Sequence, residues 1–140
     1  MVSRVMVVGL LVAALLAADA SAARRTVQSE SGFQRAVREM RWSGGTIVLR
    51  AGRYGHLRIG PRPGRWLTVR ARPGAVTRLV EVHGSRRVRL VRLTMGNYRG
   101  YRAYLDVHRS RQVSVLRARV RGRSGLSARA SVTNSRQVTI

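Results

Sequence analysis

Between Val80 and Ile140 one pattern is written three times at a spacing of 25 residues, and this repeat leaves the chain few folds to adopt. Ser85-Arg86-Arg87-Val88-Arg89-Leu90 returns as Ser110-Arg111-Gln112-Val113-Ser114-Val115, and again as Ser135-Arg136-Gln137-Val138-Thr139-Ile140. Val80, Leu105 and Ala130 keep the same register, as do Val82, Val107 and Val132, Leu93 and Ala118, Met95 and Val120, and Gly100 and Gly125. A fixed period of this length marks a repeat architecture. Each repeat alternates apolar residues in three places, Val80/Val82, Val88/Leu90 and Leu93/Met95, which predicts three short strands. Corners are expected at Gly84-Ser85, near Val91-Arg92, and in a longer loop from Gly96 to Ala103. A solenoid stacks equivalent strands about 4.8 Å apart in parallel ladders, so each column meets itself and one residue type suits every rung. A sandwich carries no such obligation.

The N-terminus reads differently. Arg4, the apolar run Val5 to Ala18 and the Ala20-Ser21-Ala22 site form a secretory signal, residues 1–22, so the mature chain is expected to be exported. The run is too short for a spanning helix, and no membrane span is expected after signal removal. With no cysteine there is neither a disulfide framework nor a thiolate metal site. The 28 basic residues are all Arg and face 5 acids, a net charge of +23 that attracts polyanions. The total absence of Lys points to a compositional bias as the origin of that identity. For an exported chain an anionic polysaccharide is the expected partner, and nucleic acid the least accessible one.

Residues 23–45 form a lead-in and an N-terminal helix. Ser31-Gly32-Phe33-Gln34 fits a capping box, and Phe33, Ala36, Val37 and Met40 share one face, so a helix is predicted over about Gly32 to Arg41. From Thr46 the period falls toward 2. Strands are expected at Thr46–Arg50, His56–Ile59 and Trp66–Val69, with turns at Ala51–Tyr54, Pro61–Gly64 and Arg72–Gly74. Residues 46–140 are therefore read as solenoid coils, about four in number. They stop inside a strand at Ile140, so the coils are expected to be the truncated part of a longer solenoid.

Gly45-Thr46-Ile47-Val48-Leu49-Arg50-Ala51-Gly52-Arg53-Tyr54 resembles the G-D-T-I-x-L-x-x-G-x-Y entrance of secreted proteins in the pectate-lyase-like superfamily. Trp66 to Ala71 is similar to the v-T-I-r-A strand that follows it there, and the Ser-x-x-Val-x-Ile units resemble that family's rungs. One departure is that Gly45 stands where the family usually has Asp. The resemblance implies an all-β, right-handed parallel β-helix with a capping helix, and an active site on the outer face of one sheet.

Glu81 and Asp106 are 25 residues apart, and so are His83 and His108. With their neighbours inward, all four point outward as a two-by-two patch, about 4.8 Å between rungs and roughly 6.7 Å along a strand. Such carboxylates can bind a cation or share a proton, and a nearby imidazole can act as base at neutral pH. In the catalytic reading Glu81 and Asp106 bind Ca²⁺, the one cofactor this reading allows, or act as acid. His83 or His108 then abstracts a proton, and Arg neutralises a sugar carboxylate. The structural alternative is a surface ladder in which two acids relieve the repulsion of surrounding Arg. No full lyase signature is present, and no His/Cys cluster has metal-ligand spacing.

Tyr98, Tyr101 and Tyr104 precede the patch and suit stacking on sugar faces. Arg86, Arg111 and Arg136 form an outward column, each pair repelling by roughly 0.9 kcal/mol at about 5 Å in water. Trp42 and Trp66 read as cap and core, and His56 as solitary. The expected function is binding of an acidic polysaccharide, with cleavage or modification by the full-length protein as a uronate-type lyase. The alternative is a non-catalytic adhesion or cell-envelope scaffold.

Overall fold

The computed structural model describes residues 23–96, 102–121 and 129–140; the expected signal segment, Tyr98 and Tyr101 lie outside them. Strand β1 (Arg24–Val27) leads into helix α1 (Glu30–Glu39), followed by β2 (Gly45–Leu49), β3 (Gly52–Ile59), β4 (Leu67–Ala71) and β5 (Ala75–His83). Then come β6 (Arg86–Val91), β7 (Thr94–Gly96), β8 (Tyr104–His108), β9 (Arg111–Leu116), β10 (Arg119–Arg121), β11 (Arg129–Thr133) and β12 (Arg136–Thr139). Every pairing among them is parallel. One sheet runs β1-β2-β4-β6-β9-β12; the other runs β10-β7-β5-β8-β11, with β3 also paired to β5. Successive strands of the first sheet are each one turn apart, so the chain is a β-solenoid of about five turns.

The expected columns face inward. Ile47, Val69, Leu90 and Val115 stack from the first sheet, and Ile59, Val82 and Val107 from the second, all at most 5% exposed. Each such side chain contributes about 1.5–3 kcal/mol by leaving water. At the last rung the same columns emerge: Val132 and Ile140 are exposed.

The repeated Ser has a role that its spacing did not reveal. Ser85 and Ser110 are buried at the corner between the sheets. The Ser85 amide donates to Ser110 Oγ at 3.2 Å, and the Ser110 amide to Ser135 Oγ at 3.1 Å. Each hydroxyl also reaches the carbonyl two residues before it, His83 at 3.0 Å, His108 at 3.0 Å and Thr133 at 2.9 Å. The corner thus satisfies its polar groups internally, as burial requires. Left-handed backbone recurs at the same period: Gly84, Arg109 and Asn134 (φ 55°, 50° and 49°), Arg87, Gln112 and Gln137 (57°, 54° and 53°), and Arg92 and Arg117 (57° and 56°).

Several expectations need correction. The helix starts two residues early: the Ser29 hydroxyl, not that of Ser31, accepts the Gly32 amide at 3.1 Å. The polar lead-in contains β1, which pairs with β2 as the first rung. The predicted turn at Ala51–Tyr54 is mostly strand, because Tyr54 enters the core at 1% exposure, its hydroxyl within 3.1 Å of the Val27 carbonyl and 2.9 Å of the Arg50 carbonyl. Burial pushes its pKa up, against the opposing hydrogen bond to Arg50. Gly45 has φ 136°, and a Cβ there would run into the Ala23 carbonyl oxygen.

The coils are also unequal. Thr46, Thr68, Arg89, Ser114 and Thr139 follow one another across the first sheet, so the turns measure 22, 21, 25 and 25 residues. Three strands per coil describe only the two later turns. In the earlier ones β3 and β5 run unbroken where the later coils carry additional residues between β7 and β8, and between β10 and β11. The pairs Thr77↔Met95 and Leu79↔Tyr104 bracket that insertion.

Arg62 closes the N-terminal side. It is 1% exposed, and its guanidinium donates to the carbonyls of Arg65 at 2.7 Å, Arg86 at 3.1 Å and Met40 at 3.2 Å. With no carboxylate partner among the described residues, its pKa is lowered by burial. Three carbonyl dipoles take the place of a counter-ion.

Candidate functional site

On the outer face of the second sheet, register brings the expected patch together. Glu81 faces Asp106 and His83 faces His108. The two imidazoles stack with ring centroids 4.1 Å apart and planes 14° from parallel. One rung on, Ser131 and Thr133 take the places of Asp106 and His108.

The patch extends one rung further than its spacing implied. Arg58 on β3 pairs with Glu81 on β5, and His56 lies two residues before it. His56 is therefore not solitary. Its Nε2 lies 3.1 Å from Glu81 Oε2, His108 Nε2 lies 3.5 Å from Oε1, and Arg58 Nε 3.8 Å from Oε2. Glu81 thus ties together three consecutive rungs. His56 precedes Glu81 by 25 residues, the repeat's own period, but it reaches Glu81 diagonally, because the in-register partner is Arg58, 23 residues earlier, a register that the 25-residue spacing hides. Aligning the inward pair Leu57/Ile59 on Val80/Val82 would have exposed it.

Burial pushes the Glu81 carboxyl up, but hydrogen bonds from His56 and His108 and the charges of Arg58 and His56 outweigh it, and its pKa is lowered. Glu81 is therefore an anion at neutral pH, suited to orienting imidazoles and unsuited to donating a proton. Facing a carboxylate, Nε2 of a neutral imidazole carries the hydrogen, which leaves Nδ1 as a proton-accepting lone pair. Such a carboxylate-oriented imidazole is chemically competent as a general base. Asp106 is half-buried and has no hydrogen-bond or ion-pair partner among the described residues. No group of three or more His, Cys, Asp or Glu among the described residues converges as a metal-holding set.

Of the other expected binding residues, Tyr104 borders this patch on the same strand as Asp106 and His108, whereas the Arg column lies apart from it. Tyr104 begins β8, half-buried and in register with Leu79. Arg86, Arg111 and Arg136 do form a column, but on the first sheet; all three are exposed and have no acidic partner among the described residues. Trp42 and Trp66 are not cap and core. They are 67% and 39% exposed, with the Arg89 guanidinium 4.9 Å from the centre of the Trp66 ring and that of Arg41 5.6 Å from the Trp42 ring. Trp66 precedes β4 on the first sheet, and Arg89 belongs to the adjacent β6, so an aromatic ring borders the Arg face. Aromatic rings in the interior were the default expectation, and no spacing signal argued otherwise.

No helix among the described residues is long and apolar enough to cross a membrane. Compared with family models, with curated proteins and with solved structures, the chain matches none.

Proposed function

We propose that this solenoid belongs to an exported β-helix protein of the pectate-lyase-like kind and binds an acidic polysaccharide. The observation that carries the proposal is the in-register column Arg86, Arg111 and Arg136, exposed and without acids beside it among the described residues. Cations on successive rungs sit about 4.8 Å apart and repel one another. A linear polyanion lying along the solenoid axis relieves that repulsion and releases its own counter-ions. Trp66 at the edge of the same sheet supplies a flat apolar surface of the sort that stacks on sugar rings. The signal-like N-terminus favours an extracellular polymer over nucleic acid.

The test is retention of the protein on immobilised alginate or pectate, with dextran as the neutral comparison. Binding to the acidic polymers alone is expected, weakening steeply with salt. The triple variant R86Q/R111Q/R136Q should lose at least tenfold in affinity. Equal retention on dextran, or an unaffected triple variant, would refute the proposal.

A lyase-type extension assigns proton abstraction to His108 or His56, each oriented by Glu81, with Asp106 beside them. It predicts that full-length protein raises ultraviolet absorbance from unsaturated uronates when mixed with alginate or pectate, with or without Ca²⁺. The second reading is a non-catalytic adhesion or envelope scaffold. It is favoured by the engagement of both Glu81 oxygens within the protein, which makes the cluster a clamp between rungs. No absorbance change on any uronate polymer would select that reading.

A further inference from the structure

A second basic feature lies on the other sheet and differs in kind from the Arg column. A cleft of about 1040 Å³ runs between the start of α1 and the outer face of β3, β5, β7 and β10. Its size is at the upper end of the range for small-molecule sites, about 300–1,000 Å³. The cleft takes its shape from one column of the sheet. Gly96 pairs with Arg121, and continuing the printed registers places Arg78 opposite Gly96 and Gly55 opposite Arg78. The column therefore reads Gly55, Arg78, Gly96, Arg121, with glycine and arginine alternating along the axis.

The alternation has two consequences. A Cβ at Gly96 would come within 2.7 Å of Val76 Cγ1, and one at Gly55 within 2.8 Å of Glu30 Oε1, so Val76 and Glu30 close over these positions and leave room only for glycine. The two arginines stand two rungs apart, about 9.6 Å between their Cα atoms at the usual strand spacing. Arg53, on β3, adds a third guanidinium to the lining. Glu30 is the acid in the wall, and it also accepts the His56 amide. The arginines of the first sheet sit on successive rungs and suit a continuous polyanion. Here Gly96, with Val76 packed over it, separates the cations by a rung, and each planar fork can hold one oxyanion bidentately.

We propose that this cleft is a separate site for a small ligand carrying two oxyanion groups about 10 Å apart, one held by Arg78 and one by Arg121. The shared chemistry is two-pronged oxyanion recognition. The groups can be carboxylates of a short acidic oligosaccharide, or phosphates. The site is independent of the polymer-binding column, since the two features occupy different sheets.

Calorimetric titration of the full chain with tri-galacturonate and with hexane-1,6-diyl bisphosphate, whose phosphates can sit about 10 Å apart, tests the proposal, with acetate and inorganic phosphate as single-group comparisons. At least one two-pronged probe should bind ten times more tightly than its single-group counterpart, and the preferred probe identifies the group. The variant R78Q/R121Q should lose at least tenfold for that probe, while R86Q/R111Q/R136Q keeps it. If R78Q fails to fold, Arg121→Gln alone, at an exposed strand end, carries the same test. Equal affinity for one- and two-group probes would overturn the proposal. So would no binding, or binding lost with the first-sheet variant and kept by the cleft variant.

Discussion

Replacing Ser110 by Ala probes the corner ladder at a buried rung. The Ser110 side chain is 1% exposed and that of Ser85 is fully buried. Removing the hydroxyl deletes the acceptor for the Ser85 amide, 3.2 Å away, and the donor to the His108 carbonyl at 3.0 Å and the Val82 carbonyl at 3.3 Å. A methyl group of nearly equal volume remains, so packing changes little. The cost is the desolvation of a buried amide left without a partner, about 1–3 kcal/mol. A loss of about 2 kcal/mol should lower Tm by roughly 6–12 °C in a domain of this size. Urea unfolding followed by circular dichroism measures it, with Ser135→Ala as internal comparison. Ser135 is only half-buried, so water can replace its hydroxyl and the loss there should be smaller. If Ser110→Ala costs less than about 0.5 kcal/mol, or less than Ser135→Ala, hydrogen-bond satisfaction is not why Ser recurs in the repeat.

Three further outcomes are expected. Arg109 holds φ 50° where the neighbouring rungs have Gly84 and Asn134, so Arg109→Gly should raise stability by about 0.5–1 kcal/mol in urea unfolding; a loss would show that its side chain contributes more than its backbone costs. Arg62→Met should cost about 3 kcal/mol, because the buried carbonyl of Met40 and the part-buried carbonyls of Arg65 and Arg86 lose charge-assisted donors, and Arg62→Lys should not restore it, since one ammonium cannot span the fork. Glu81 has a lowered folded pKa, so its contribution should be fully present above the ordinary Glu value of about 4.3 and be lost as pH falls through the folded value. Glu81→Gln should therefore narrow the difference in urea midpoint from wild type on the acid side, and a difference independent of pH would refute the His56–Glu81–His108 clamp.

Much of the architecture could be read directly from the repeat. Once equivalent residues are 25 apart and the sheets are parallel, simple counting puts Glu81 against Asp106, His83 against His108, and Arg86 against Arg111 and Arg136. No tertiary information is needed, because an in-register ladder maps sequence spacing onto spatial adjacency. The chemistry at Glu81 was legible only in part. Its shortest contact, with His56, keeps the 25-residue spacing but runs diagonally, because a shorter coil sets Arg58, 23 residues back, in register with Glu81.

Residue types alone decide inward and outward faces well for Val, Leu and Ile, whose burial is favourable in any surroundings. They fail for side chains whose placement depends on specific partners. Arg62 is buried because three carbonyls from separate segments converge on it, and Trp66 is exposed because Arg89 covers part of its ring while β4 turns Leu67 inward. The repeating residues thus determined which rungs stack and which columns form the core. Only the tertiary structure decided where coils of unequal length align, and so which charged groups meet across them, because that alignment depends on hydrogen-bond partners drawn from distant parts of the chain.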